Sequence, residues 1–181
     1  TMTKEEGGDT PGGDEPVERG DASVGMDITL SNGYRGQNIG SPTMIVEFTP
    51  NSDCVEYRFM VGMNEGTYEK YGEEGVIGIF EDERYHDQGY WESSKDFSSN
   101  GVVYTFFDTV LGQTIESFAL AYDAEGRPGK LTMETTTFPS SIADLDQLSR
   151  PYPSSSFLHI SAPRSKRDFV IRLEPSKTAR L

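Results

Sequence analysis

The sequence is poor in cysteine, histidine, positive charge and long apolar runs. Its single cysteine, Cys54, excludes an internal disulfide and a multi-cysteine metal site. The 16 basic and 30 acidic side chains give a formal charge of −14. Because such an excess repels phosphate backbones, we expect no nucleic-acid partner. Apolar runs fall far short of the roughly 20 residues of a membrane helix, so we do not expect this chain to cross a bilayer.

Signatures of catalysis are also lacking. The chain has no GxSxG elbow, no Walker loop and no GxGxxG after a strand. Its two histidines, His86 and His159, lack a metal-ligand spacing, so no metal or other cofactor is predicted. Cys54 has only Arg58 as a nearby base, which favours a buried thiol over a nucleophile. We therefore predict a non-enzyme. A hydrolase is the remotest alternative, and it would need a cleft joining His86 to a carboxylate and to Cys54 or a serine.

Short strands with turn residues between them dominate the middle of the chain. Residues 26–30 and 55–63 alternate between apolar and polar side chains, which is the period of a half-buried strand. Residues 31–42 carry the glycines, asparagines and proline of a long turn, and AEGRPG is a strong hairpin signal. The predicted fold is mainly β, a β-sandwich, with six strands at 26–30, 43–48, 55–63, 102–110, 115–122 and 131–138.

A helical pattern interrupts the strands at residues 67–88, between the third and fourth strands. Tyr68 and Tyr71, followed by Val76 and Ile79, recur at helical spacing, which predicts one helix or two short ones. The segment is rich in acids, which favours a solvated outer face. A cation- or partner-binding surface is the alternative. The chain has no D-x-D-x-D-G pattern that would predict a calcium loop.

Aromatic residues near this segment are the candidate ligand-binding residues. Tyr85, Tyr90 and Trp91, together with Asp87 and Glu92, have the composition of a glycan site. Sugars stack on exposed aromatic faces, while carboxylates accept hydrogen bonds from their hydroxyls. The alternative is that Trp91 and some of the tyrosines cover the sandwich core. Exposure of these rings in one concave patch would favour glycan binding, whereas burial would leave a spacer.

A resemblance to a known family rests on the runs MIVEFTPNSDCVEYRFMV, TYEKYG and VVYTFFDTVLGQTIESFALAYDAEGRPGKLTMETTTF. Together they resemble the fibronectin type III-like modules (Ig-like β-sandwiches) of Bacteroidota surface lipoproteins. Ala119, Ala121, Asp123 and Gly126 match that family's hairpin pattern. The chain departs from the family at residues 112–115, GQTI, where the family usually has Pro-Gly-Thr-x-Tyr. The hydrogen bond from that tyrosine must therefore be replaced or absent.

The resemblance implies a non-catalytic module of the cell envelope, exposed at the outer-membrane surface or outside the cell. Its role would be that of a spacer or protein-interaction domain. A partner would be another envelope protein or a glycan, and we expect a monomer. The Gly-rich acidic start is similar to the spacer after a lipidated cysteine, so membrane attachment would come only through a lipid anchor upstream of residue 1. Asp108-Thr109-Val110 resembles the short acceptor sequence for O-linked glycans in that phylum.

Charge and composition divide the chain. Residues 1–21 are acidic and almost without apolar side chains, which predicts a flexible tether. Residues 22–138 form the predicted module, and 139–153 a linker with a short helix at 142–148. Residues 154–181, with a basic turn at 164–167, form a strand pair, which is either the start of a second similar module or an addition to the first. In the latter case the basic turn would meet the acidic residues of 65–87.

Overall fold

The part of the chain that the structure describes contains eight strands in two sheets. The computed structural model describes residues 18–148 and the backbone of residues 158–160. Sheet A has the strand order β1-β2-β5-β8 and sheet B the order β4-β3-β6-β7; every pair is antiparallel except β5 with β8. This arrangement is consistent with the predicted β-sandwich. The strands are β1 (Val24–Tyr34), β2 (Gln37–Pro50), β3 (Glu56–Asn64), β4 (Glu92–Ser94), β5 (Gly101–Thr105), β6 (Thr114–Tyr122), β7 (Thr132–Thr137) and β8 (Leu158–Ile160).

The main core lies between the two sheets. Phe48 from sheet A packs against Tyr57 and Phe59 of sheet B, with ring centroids 5.0 and 4.7 Å apart. Tilted contacts at this distance are favourable for aromatic rings. Burial in this core raises the pKa of Tyr57 to about 12. The alternation predicted for β3 therefore directs Tyr57 and Phe59 into this core, whereas residues 42–46 of β2 are buried without alternation.

Two helices form a third layer on the outer face of sheet B. They are α1 (Thr67–Phe80) and α2 (Glu83–Asp87), and they lie between β3 and β4. α1 packs against β3 and β6, and its Tyr68 ring stacks on Phe118 of β6 at 6.4 Å. Gly72 interrupts α1 with a φ of 71°, a conformation that glycine adopts without strain. The apolar residues near the end of α1 are buried: Val76, Ile77, Ile79 and Phe80.

Two local predictions were wrong. Residues 31–42 are not a long turn, since β1 and β2 continue as a ribbon to Tyr34 and from Gln37. The chain reverses at Arg35 and Gly36, which both have positive φ. The predicted strand over 102–110 ends at Thr105 and is followed by a short 3₁₀ turn at Asp108–Val110. Turn-forming residues are therefore accommodated inside paired strands here.

The packed unit extends beyond the predicted module at both ends. Residues 18–21, predicted as part of the tether, contact the β6–β7 hairpin, where the Gly20 amide donates to the Pro128 carbonyl at 3.0 Å. The predicted linker helix is present as α3 (Ile142–Leu148). It packs against β1 and β2 and buries Leu145 fully.

β8 adds to the first sheet, since Leu158–Ile160 pair with residues 101–103 of β5. The rest of the predicted strand pair, including the basic turn at 164–167, lies outside the described residues. So do residues 1–17 of the tether. Of the described helices, none has the length and apolar character needed to cross a membrane.

Candidate functional site

The three aromatic residues predicted to bind a glycan are buried. Tyr85 and Tyr90 are each 6% exposed and Trp91 is 3% exposed. Tyr85 and Tyr90 meet edge to face at 5.5 Å, and the Trp91 indole donates to the Asp82 carbonyl at 3.3 Å. Because stacking on a sugar needs an open ring face, the exposed platform expected from the sequence is not formed by these residues. Their burial agrees with the alternative, in which they cover apolar side chains.

The two predicted carboxylates lie in different surroundings. Asp87 is exposed at the end of α2. Glu92 pairs opposite Phe59 in β4 and therefore faces the same side as Phe59, toward the gap between the sheets. There it lines a cleft of about 220 Å³ with Tyr57, Phe59 and serines of β4 and the loop before β5. The five predicted residues thus do not form one patch.

Arg58 connects the helical layer to sheet B. Its guanidinium lies between the rings of Trp91 and Tyr122, with Cζ 4.6 and 4.5 Å from their centroids. Nη1 donates to the Phe80 carbonyl at 2.6 Å, and Nε to the Glu56 carboxylate at 2.8 Å. A planar cation suits this position because it stacks and donates in the same plane. Arg58 therefore links the end of α1, β3, β6 and the residue before β4.

Glu116 performs the corresponding task at the other end of α1. Its carboxylate is 6% exposed and accepts from the amides of Gly66 at 2.7 Å and Tyr68 at 2.8 Å. These amides belong to the first turn of α1, where backbone donors lack helical partners. An anion there is also favoured by the helix dipole. Glu116 thus attaches the start of α1 to β6, a role that the alternating sequence of β6 does not reveal.

An acidic groove surrounds the hairpin that follows β6. It consists of two adjoining cavities of about 430 and 270 Å³ that share Val55, Asp123 and Ala124. Val55 is 48% exposed at this shared wall. Burial raises the pKa of the Tyr122 phenol well above its usual range. The acidic side chains that line the groove come from segments distant in sequence: Asp21, Asp53, Glu56, Glu81, Glu83, Asp123 and Glu125.

Asp123 holds the predicted hairpin turn together. Its Oδ1 accepts from the amides of Glu125 at 3.0 Å and Arg127 at 2.9 Å, and its Oδ2 accepts from Arg127 Nε at 2.8 Å. Hydrogen bonds from the Arg127 backbone and side chain lower the pKa of this carboxyl. Gly126 supplies the positive φ that closes the turn. Asp123 and Gly126 therefore stabilise the turn between β6 and β7.

Two residues named in the hydrolase alternative, Cys54 and His86, have different environments. Cys54 is buried, its Sγ donates to the Glu56 carbonyl at 3.3 Å, and burial raises the pKa of the thiol. A neutral, hydrogen-bonded thiol is a poor nucleophile. His86 is exposed on α2, where Nδ1 lies 3.8 Å from Glu83 and 3.9 Å from Asp87. The side chains of Glu83, His86 and Asp87 could together hold a metal ion.

The corner that lacks the family's tyrosine is held by Gln113. Its Nε2 donates to the Thr109 carbonyl at 2.8 Å, and its backbone carbonyl accepts from the Phe138 amide at 2.9 Å. The side chain and the backbone of Gln113 therefore both contribute hydrogen bonds to this corner. Thr109, in the sequence that resembles a glycan acceptor, is exposed on the 3₁₀ turn.

Residues 18–23, here called the N-terminal strap, bind three parts of the fold. Arg19 donates to the Gly129 carbonyl at 2.8 Å and forms an ion pair with Glu74 of α1 at 3.0 Å. The Asn51 side chain accepts from the Ser23 amide at 3.1 Å and donates to the Asp21 carbonyl at 3.0 Å. The strap therefore ties the hairpin, α1 and the turn after β2 to the point where the chain enters the fold.

The chain matches no protein-family model, no curated protein and no solved structure.

Proposed function

We propose that this chain is a non-catalytic, Ig/fibronectin type III-like module of a cell-envelope surface lipoprotein, acting as a spacer or protein-interaction domain. A lipid anchor upstream of residue 1 would hold it at the outer surface. The single observation that carries the proposal is the N-terminal strap. A spacer needs a firm connection between its tether and its folded domain. The strap supplies one, because it joins the entering chain to three separate elements.

The strand order supports the family assignment. β1, β2 and β5 form one sheet, and β4, β3, β6 and β7 form the other. Two antiparallel sheets of three and four strands, packed over one core, are typical of Ig-like and fibronectin type III sandwiches. The additional strand β8 extends the smaller sheet.

Two sheet edges support a monomeric module. β4 has only three residues and carries the inward-facing Glu92. Short edge strands and inward charges both disfavour pairing with another chain. On the other sheet, the edge strand next to β5 is β8, which also has only three residues. A spacer at high local density benefits from edges that do not pair with its neighbours.

The glycan-binding alternative retains less support than the spacer. Its three stacking residues are buried, so only Asp87 and Glu92 of the original set remain accessible. A glycan would need other apolar faces. A soluble-oligosaccharide array probed with the full chain tests this alternative separately from localisation.

Localisation is tested in the organism that encodes the protein. Detergent-phase partition of whole-cell extract and protease treatment of intact cells should recover the protein in the detergent phase and degrade it at the surface. A cytoplasmic control protein should stay in the aqueous phase and remain intact. Recovery of this protein with the cytoplasmic control would reject the envelope proposal.

The strap is tested with a glycine pair. A Cβ at Gly129 would collide with the backbone carbonyl of Ala22, so Gly129→Ala should displace the strap. We expect faster hydrogen exchange at residues 18–23 and easier proteolysis there. Gly78→Ala is the control, because position 78 lies in α1 with open space around it. Equal exchange in both variants would show that the strap is not held by the hairpin.

A further inference from the structure

Helix α2 brings one imidazole and two carboxylates together on an exposed surface. His86 Nδ1 lies 3.8 Å from Glu83 Oε1 and 3.9 Å from Asp87 Oδ1. The ligand atoms of the three side chains all lie within 4.8 Å of one another. The Glu83–His86 contact reflects the i, i+3 spacing of neighbours on a helix surface.

The imidazole is packed against a fixed support. Its ring centroid lies 4.5 Å from that of Trp91, which is itself buried. Trp91 is held by its hydrogen bond to the Asp82 carbonyl and by Arg58 on its ring. The His86 ring therefore has a defined position, with its Nδ1 on the side of the two carboxylates.

The nearby arginines do not neutralise these carboxylates. Arg84 pairs with Asp82 at 2.6 Å, and Arg58 pairs with Glu56 at 2.8 Å. Within residues 18–148, no lysine or arginine lies within ion-pair distance of Glu83 or Asp87, and the close contacts of both carboxylates are with His86 Nδ1. Unneutralised acids raise the local concentration of cations.

We propose that Glu83, His86 and Asp87 bind a divalent first-row transition-metal ion of the Zn²⁺, Ni²⁺ and Cu²⁺ class. The site would supply one nitrogen and two oxygens, with water in the remaining positions. An imidazole ligand selects this class, because Mg²⁺ and Ca²⁺ prefer oxygen ligands alone. Bonds of about 2.0–2.2 Å require ligand atoms about 3–3.5 Å apart. The observed distances come close to this, and the exposed carboxylates are able to rotate inward.

Trp91 provides the reporter, because it is the only tryptophan in the chain. NiCl₂ is titrated into the full-length protein in a buffer that does not bind metal, and tryptophan emission is recorded. We expect saturable quenching with one ion per chain and recovery of emission when Zn²⁺ is added. His86→Gln should raise the apparent dissociation constant by at least about tenfold, the lower end of what loss of even an outer-shell partner costs a metal site.

Two controls separate the site from general charge. His159→Gln removes the other histidine, and Glu134→Gln removes an exposed acid on β7; both should titrate like the unmodified protein. Glu83→Gln and Asp87→Asn should each weaken binding while leaving the His86 ring on Trp91. Quenching that does not saturate, that is unchanged in His86→Gln, or that a large excess of Mg²⁺ abolishes would overturn the proposal.

Discussion

Charged side chains on the outer faces of the two sheets have opposite effects on stability. On sheet B, Arg58 and Glu116 lie under the helical layer, and each bonds to the backbone of α1. On sheet A, Asp27 and Glu47 are direct cross-strand neighbours with the same charge. Burial and the charge of Asp27 raise the pKa of Glu47, and its Oε2 is buried without a hydrogen bond among the described residues. The charged side chains on sheet B therefore hold the helical layer in place. Those on sheet A, Asp27 and Glu47, repel each other and lower the stability of that face.

The largest effect is expected from Arg58→Met. The substitution leaves the Glu56 carboxylate without its cation and the Phe80 carbonyl without its donor, so we expect a loss of about 3 kcal/mol in unfolding free energy. Urea unfolding followed by circular dichroism measures it. Arg84→Met is the matched control, because its side chain is 72% exposed and surface ion pairs contribute little to stability. Equal losses would remove the distinction between the two arginines.

The next effect is expected from Glu116→Ala. It leaves the amides of Gly66 and Tyr68 without an acceptor, which should cost about 2 kcal/mol. Glu116→Gln keeps one acceptor oxygen and should cost less. Hydrogen exchange at Tyr68 should accelerate in the alanine variant. Glu134→Ala on the exposed edge strand β7 should change neither stability nor exchange, and a comparable loss there would contradict the capping role.

Gln113→Ala tests the corner between the sheets. Loss of the hydrogen bond to the Thr109 carbonyl should cost about 0.5–1 kcal/mol, because the side chain is exposed. Gln113→Glu, which removes the donor but keeps the size, should cost about the same in urea unfolding. A neutral result for both variants would mean that the backbone bonds to Phe138 and Pro139 hold the corner alone.

The smallest effect concerns sheet A and depends on pH. Because the pKa of Glu47 is raised above 4.5 in the folded state, the folded protein binds more protons at this carboxyl than the unfolded chain. The stability contributed by Glu47 therefore falls as pH rises from 4.5 through the folded-state pKa. Glu47→Gln should remove this fall, and Asp27→Asn should reduce it, when unfolding is measured at several pH values. A parallel pH profile in the unmodified protein and Glu47→Gln would contradict it.

The sequence predicted much of the fold but little of the site. Strands β3 and β6 were found within one residue of their ends, because their apolar alternation and flanking turns are local signals. The β1–β2 ribbon was missed because Gly33, Gly36 and Gly40 indicate a turn by composition. They instead adopt positive φ within or between paired strands. Local composition does not distinguish these two uses of glycine.

Burial of the candidate aromatics could not be predicted from the sequence for a different reason. Tyr85, Tyr90 and Trp91 lie among acids, which favours an exposed surface. The helices turn the acids toward solvent and the rings toward sheet B, and Arg58 of β3 meets Trp91 from the opposite side. That contact joins residues 33 positions apart, so it follows from the packing of α1 on sheet B and not from any local pattern.

The strap also determines the order in which the chain completes its structure. Arg19 precedes its acceptor at Gly129 by 110 positions, and the Gly20 amide likewise donates to the carbonyl of Pro128, far along the chain. During synthesis the strap leaves the ribosome before its binding surface has been translated. Contacts between distant segments form late, because closing a long loop carries a large entropic cost. The strap is therefore synthesised before the rest of the folded unit and is among the last parts to be held in place.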